Sequence, residues 1–213
     1  MSSLIAFDLD GTLVDSRTDI ARAVNVMRSH YGMAHLSVEE VTVSIGDGIK
    51  MLCERILAGT GIDLDEAVGI MRGFYRAHMV DDSVLYGGVA EGLRELRRNH
   101  WRLSVISNKP RVFCDEILAH FRILHLFELV IGGDSGYALK PDPESLLASM
   151  EKVKAAPERS WIVGDHYTDL GAGKNAGIRT CFVSYGFGRL NGLVPDLTVS
   201  SFPEFVAHVS ASG

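Results

Sequence analysis

Two aspartates separated by one residue, Asp8 and Asp10, close a short apolar run and precede Gly11-Thr12. If the run is a strand, alternation points both carboxylates the same way. Two carboxylates this close repel each other, so a cation or a shared proton must compensate them. Oxygen ligands of this kind suit Mg²⁺. We therefore predict a magnesium site here; a pair of loop aspartates at a strand end is the alternative.

Three further clusters could complete such a site. Ser107 and Asn108 close a second apolar run, where a hydroxyl and free amides can hold a phosphate, although such a pair before a proline is most often only a turn. Lys140 precedes a Pro-Asp-Pro sequence and could neutralise phosphate charge, or could simply be solvated. Asp165 and Asp169, one helical turn apart, could add metal ligands, or Asp165 could merely cap a helix. His166 lies between them and receives no role.

The elements that must position these residues follow from hydrophobic periodicity. Apolar runs alternate with helical patterns, which indicates a parallel sheet covered by helices on both faces, an α/β fold. A short strand and a final helix are expected in residues 196–213. The predicted strands are 4–9, 102–107, 127–132, 161–164 and 180–184.

One stretch, about residues 16–83, shows only helical patterns. We predict a small helical bundle inserted after the first strand. The predicted domains are therefore a catalytic core of residues 1–15 and 84–213 and an inserted helical domain of residues 16–83. Gly87 and Gly88 lie near the return to the core, where glycine permits a hinge.

Bulk composition restricts the function. The formal net charge of −6 argues against a general nucleic-acid or membrane-surface role, because such binding needs a basic face. Three cysteines far apart in the sequence, with no Cys-x-x-Cys pair, favour buried free thiols. The N-terminus shows neither a basic signal region nor a long apolar segment, so we expect a cytoplasmic protein. The oligomeric state is undetermined; a homodimer is one option.

Together the four clusters resemble the four motifs of the haloacid dehalogenase-like hydrolase superfamily, in the same order. Within it, the chain is most similar to the phosphoglycolate phosphatase branch. The resemblance covers essentially the whole chain and implies a Rossmann-like core with the helical insertion as a cap over the active site. The segments that carry the similarity to that branch are 86–89, 107–110, 131–134, 140–143 and 184–186.

The resemblance also implies roles for individual residues. Asp8 would be the nucleophile, and Asp10 would protonate the leaving oxygen and then activate water. Mg²⁺ would bind the carboxylates of Asp8 and Asp165 and the carbonyl of Asp10. Ser107 and the amide of Asn108 would hold the phosphoryl group, and Lys140 would bridge it to Asp8. Thr12 would steady the loop by a hydrogen bond near Asp10, and Asp169 would orient Lys140 or a metal-bound water.

The cap would select a small phosphorylated metabolite. Its best candidate loop is Gly46-Asp47-Gly48-Ile49-Lys50, where Lys50 could meet a substrate carboxylate or second phosphate. A plain helix start with a surface lysine is an equally good interpretation of that loop. Among substrates, 2-phosphoglycolate is the first expectation.

Several alternatives stay open at this point. Phosphatases for pyrophosphate, nucleotides or sugar phosphates would share almost every residue named, and a β-phosphoglucomutase-like phosphomutase would keep both aspartates. A dehalogenase would normally lack an aspartate at the position of Asp10. A non-catalytic phosphate-binding module on the same scaffold would be expected to have lost Asp8, Asp10, Lys140 or Asp165, and all four are present.

Overall fold

The computed structural model describes residues 2–211; Met1, Ser212 and Gly213 lie outside the described residues. Its strands are β1 Leu4–Phe7, β2 Val14–Asp15, β3 Val84–Leu85, β4 Arg102–Ile106, β5 Leu129–Ile131, β6 Trp161–Gly164, β7 Arg179–Val183 and β8 Leu197–Val199. Its α-helices are α1 Arg17–His30, α2 Val38–Thr42, α3 Ile49–Ile56, α4 Leu64–His78, α5 Val89–Arg98, α6 Arg111–His120, α7 Glu144–Val153, α8 Tyr167–Ala176 and α9 Phe202–Ala211.

Six strands form one parallel sheet in the order β5-β4-β1-β6-β7-β8. Strand β1 lies between β4 and β6. The chain first adds β4 and β5 on one side of β1 and then returns to add β6, β7 and β8 on the other side. In open parallel sheets a ligand crevice forms at such a switch point, outside the carboxyl ends of the strands. The predicted α/β fold with a Rossmann-like parallel sheet is confirmed.

Alternation along β1 explains why helices cover both faces of the sheet. Ile5 and Phe7 belong to the larger core, which includes residues of α5, α6 and α9. Leu4 and Ala6 point to the other face and pack with residues of α7 and α8. All four side chains are fully buried, as expected for a central parallel strand.

The segment between β2 and β3 contains α1 to α4, and this helical segment is called the insert below. Helices α1 and α4 pack against each other, as do α3 and α4. Strands β2 and β3 pair antiparallel where the insert leaves and returns. The periodicity did not predict this pair, because two-residue strands are too short to show alternation. The assignment of residues 16–83 to a separate domain stays a prediction.

The structure also tests the expectations for the C-terminal region and for the cysteines. Helix α9 and strand β8 occupy the predicted C-terminal region up to residue 211, and the last two residues lie outside the described part. Cys53, Cys114 and Cys181 are buried and free, as predicted. No helix within residues 2–211 has both the length and the apolar character needed to cross a membrane.

Candidate active site

Three aspartates meet at the carboxyl edge of the sheet. Asp8 follows β1 directly, Asp165 follows β6 directly, and Asp169 lies in the first turn of α8. One carboxylate oxygen from each residue can be chosen so that all lie within 4.8 Å of one another, and all three residues are buried. Burial raises the pKa of Asp165, and the negative charges of Asp8 and Asp169 raise it further. Such a group of carboxylates needs a cation to be stable in its charged form.

Lys140 supplies one positive charge to this group. Its ammonium donates hydrogen bonds to the Ile106 carbonyl and to Asp169 Oδ1, both at 2.6 Å. It also lies 3.0 Å from Asp8 Oδ1, as an ion pair without hydrogen-bond alignment. Burial opposes the charged form of Lys140, but the carboxylates of Asp169 and Asp8 outweigh burial, so its pKa is raised and it remains an ammonium.

Carboxylate oxygens that accept no hydrogen bond from the protein are available to a divalent cation. Asp8 Oδ1 has no aligned hydrogen-bond donor, whereas both oxygens of Asp169 are engaged, by Lys140 Nζ and by the His166 amide at 3.1 Å. Asp8 is therefore better placed than Asp169 to contribute a metal ligand. Asp165 keeps Oδ1 for that role, because the backbone hydrogen bonds that it accepts go to Oδ2. Carboxylate oxygens with free lone pairs are the donors that Mg²⁺ prefers.

Asp165 is held in a tight backbone cradle. Its Oδ2 accepts hydrogen bonds from the amides of Phe187 at 2.9 Å and Gly188 at 2.7 Å. Gly11 has a φ of +80°, and a Cβ at that position would overlap the Asp165 carboxylate. A side chain at Gly186 would overlap Asp165 as well. The Gly11 position therefore requires glycine for both its backbone conformation and its close approach.

Ser107 and Asn108 follow β4, next to Asp8 in the sheet. The Asn108 side chain accepts a hydrogen bond from the Lys140 amide at 2.9 Å and donates to the Lys140 carbonyl at 3.1 Å. The side-chain nitrogen Nδ2 of Asn108 also donates to the Gly46 carbonyl in the insert at 3.1 Å. Asn108 thus fixes the backbone of Lys140 and links the core to the insert, a role that its position in the sequence did not suggest.

Asp10 is bound by two residues that the sequence analysis did not select. Ser16 Oγ donates to Asp10 Oδ1 at 2.5 Å. Lys109 Nζ lies 2.9 Å from Oδ1 and 2.7 Å from Oδ2. The ammonium also faces the ring of Tyr75, 4.7 Å from its centre. Lys109 directly follows Ser107-Asn108 in the sequence, which is a weak indication of a role in the site. No sequence feature indicated a role for Ser16.

Lys109 is a buried cation, and its environment keeps it charged. Burial alone would lower its pKa, but the Asp10 carboxylate and Tyr75 act in the opposite direction, and the net pKa is raised. His166 is also buried and lines the same cleft. Burial lowers the pKa of His166 to about 4, which keeps its imidazole neutral near pH 7.

Two expected site residues lie elsewhere. Thr12 is fully buried, and its hydroxyl has no hydrogen-bond partner among the described residues; its carbonyl instead accepts from the Tyr185 hydroxyl at 2.8 Å. Lys50 is exposed on α3 and pairs with exposed Asp65 at 3.3 Å. Neither Thr12 nor Lys50 is among the residues that line the cleft.

Residues of the insert and of the core together line a cleft beside the acidic group. The Tyr167 hydroxyl donates to Asp47 Oδ1 at 2.7 Å, and Arg55 holds the other Asp47 oxygen at 2.5 Å. Gly46 packs directly against the His166 ring, where a Cβ would overlap it. Apolar and aromatic side chains form a wall of this cleft, and they comprise Ile20, Ile45, Ile49, Leu52, Met71, Tyr75, Phe113 and Phe187.

Comparison with known proteins gives a consistent set of relatives. Residues 5–183 match the family model for haloacid dehalogenase-like hydrolases. The chain is 38% identical to a phosphoglycolate phosphatase of Colwellia psychrerythraea, and the alignment covers 95% of each protein. It is 34% identical to a phosphoglycolate phosphatase of Aquifex aeolicus, with 92% of each protein covered.

Solved structures agree with these sequence matches. A protein from Haemophilus somnus, described as a predicted phosphoglycolate phosphatase, superposes with a TM-score of 0.89 at 27% identity, covering 97% of both chains. A haloacid dehalogenase-like family protein from Streptococcus pneumoniae gives a TM-score of 0.87 at 25% identity, covering 98% of both chains.

Proposed function

The chain belongs to the haloacid dehalogenase-like hydrolase family, and on this basis we propose that it is a magnesium-dependent phosphatase acting on a small phosphate monoester. The motif-based resemblance to this family is confirmed by the match over residues 5–183. The observation that carries the proposal is the meeting of Asp8, Lys140 and Asp165 at one sheet edge, with Asp8 charge-paired to the buried lysine. As substrate we propose 2-phosphoglycolate, after the names of the relatives.

Asp8 is the proposed nucleophile. Its carboxylate attacks phosphorus, the bond from phosphorus to the ester oxygen breaks, and an aspartyl-phosphate forms on Asp8. Asp10 is the proposed proton donor to the departing oxygen. It then removes a proton from the water that attacks the aspartyl-phosphate, so the second step returns both aspartates to their starting states.

The neighbouring residues hold this machinery in place. Lys140 lies 3.0 Å from Asp8 Oδ1 and offsets negative charge at the attacking carboxylate and the phosphoryl group. Asp169 fixes Lys140 through its 2.6 Å hydrogen bond. Ser16 and Lys109 hold the Asp10 carboxylate from two directions. Ser107 and the Asn108 amide, which line the cleft, are the proposed phosphoryl-binding groups.

Asp8, Asp165 and the Asp10 carbonyl are the proposed holders of Mg²⁺. Bound Mg²⁺ would supply charge neutralisation between the nucleophile and the phosphoryl oxygens. Closure of the insert over the cleft would exclude water, which would strengthen these electrostatic interactions and protect the aspartyl-phosphate. Three buried free cysteines support a reducing compartment, and we propose the cytoplasm.

The test is release of inorganic phosphate from 2-phosphoglycolate, with Mg²⁺ and after its removal by a chelator. The wild-type protein should be active only with the metal. Asp8→Asn should lower kcat by at least about a thousandfold while remaining folded, because it removes the nucleophile. Asp65→Asn, on an exposed carboxylate of α4, is the matched control and should keep wild-type activity.

Acid quenching during turnover should trap one phosphoryl group on the wild-type peptide that contains Asp8. An Asp8→Asn variant with most of the wild-type kcat would refute the nucleophile assignment. A panel of pyrophosphate, nucleotides and sugar phosphates, compared by kcat/KM, tests the choice of substrate. Conversion of glucose 1-phosphate to its isomer faster than its hydrolysis would identify a phosphomutase instead.

A further inference from the structure

One cation stands out in the substrate cleft. Among the described cleft-lining residues, Lys109 is the only lysine or arginine. Lys50 and Arg55 of the insert do not line the cleft, and they pair with Asp65 and Asp47. A charged group on the leaving part of a substrate would therefore have one positive partner in this cleft.

Tyr75 gives an independent indication of a ligand at the same place. It is 3% exposed, lines the cleft from α4, and its hydroxyl has no hydrogen-bond partner among the described residues. The Lys109 ammonium lies over its ring in a cation–π arrangement, 4.7 Å from the ring centre. A buried hydroxyl without a protein partner is unfavourable, and because Tyr75 lines the cleft, this hydroxyl is available to a ligand group that accepts its proton.

The distance from the reacting atoms suits one class of ligand. In the proposed function, on which this inference rests, the ester oxygen of the substrate meets Asp10. Lys109 Nζ is 2.7 Å and 2.9 Å from the two Asp10 oxygens. In 2-phosphoglycolate a single methylene separates the ester oxygen from the carboxylate. A substrate with its ester oxygen at Asp10 therefore brings its carboxylate beside Lys109.

We propose that Lys109 and Tyr75 form the binding site for a carboxylate on the leaving group, and that they select short carboxylate-bearing phosphate monoesters. The ammonium and the hydroxyl each donate to the carboxylate, while apolar neighbours such as Ile20, Met71 and Phe113 exclude water. Leaving groups with many hydroxyls would have to place them against this apolar wall without partners, which disfavours sugar phosphates.

The experiment compares kcat/KM for 2-phosphoglycolate with kcat/KM for ethyl phosphate, which has a methyl group in place of the carboxylate. Wild type should prefer 2-phosphoglycolate by at least about tenfold. Tyr75→Phe should lower this preference about tenfold or abolish it, and Lys109→Met should abolish it. Because both substrates need Asp10, damage to Asp10 in Lys109→Met slows both and cancels in the ratio.

Tyr75→Phe separates binding from folding. Its lost hydroxyl has no protein partner, so the variant should keep the wild-type Tm while losing substrate preference. The exposed Tyr137, changed to phenylalanine, is the matched control and should change neither quantity. A reduced Tm with an unchanged preference would assign Tyr75 a purely structural role and overturn the inference.

The outcomes separate this inference from the proposed function. Wild-type protein that releases phosphate from both substrates at equal kcat/KM overturns the inference but leaves the phosphatase proposal standing. The inference is also overturned, and the phosphatase proposal kept, if both Tyr75→Phe and Lys109→Met retain the wild-type preference for 2-phosphoglycolate over ethyl phosphate. Wild-type protein that releases no phosphate from these or from p-nitrophenyl phosphate, with Mg²⁺ present, overturns the proposed function itself.

Discussion

The substitution Lys140→Met removes a buried ammonium from among negatively charged groups while keeping a side chain of similar length. The lysine side chain is 2% exposed, and those of its partners Asp8 and Asp169 are 11% and 0% exposed. Water therefore cannot replace the lost charge. Removing one member of a buried ion pair typically costs about 3–5 kcal/mol, because the other member is left uncompensated.

For a chain of this size each kcal/mol lowers Tm by about 2–4 °C, so Lys140→Met should unfold about 6–20 °C below wild type. Thermal unfolding in metal-free buffer, followed by tryptophan fluorescence, measures the shift. The exposed Lys152 of α7 offers a control, and Lys152→Met should leave Tm unchanged. Activity on 2-phosphoglycolate should also fall by at least about a hundredfold.

A second substitution tests the cause of the loss. Asp169→Asn in the Lys140→Met background removes one uncompensated negative charge. The double variant should therefore have a higher Tm than Lys140→Met alone, although it stays inactive. If Lys140→Met melts within about 2 °C of wild type, or if Asp169→Asn lowers Tm further in that background, the charge-compensation argument is wrong.

Three other changes follow from the site. Gly11→Ala should cost about 1–3 kcal/mol and lower kcat/KM at least about a hundredfold, because φ is +80° and the new Cβ overlaps Asp165; urea unfolding and kinetics check this. Tyr167→Phe removes the 2.7 Å hydrogen bond to Asp47 and should raise KM about three- to tenfold by loosening the insert. Lys50→Ala should keep kcat/KM within about twofold, since its exposed ion pair lies outside the cleft; a larger loss would restore it as a substrate contact.

The sequence determined the fold and the core of the site because both depend on local information. Apolar runs of strand length specify the parallel sheet, and the residue after each strand necessarily lies at its carboxyl end. Asp8, Ser107 and Asp165 follow β1, β4 and β6, which are neighbours in the sheet. The positions of these residues along the chain therefore placed each of them at the carboxyl edge of the sheet, whereas the tertiary structure decided that their strands are neighbours.

Contacts between distant side chains were decided only by the tertiary structure. Lys109 and Asp10 are 99 positions apart in the chain, and nothing local specifies that the ammonium turns towards Asp10 and Tyr75. The sequence left open whether Lys50 contacts a substrate or is a surface lysine. In the structure Ile49 and Leu52 line the cleft from α3, and Lys50 is exposed and pairs with Asp65. Helix rotation and packing of the insert on the core select which lysine reaches the cleft, and both arise from contacts between segments that the sequence alone does not pair.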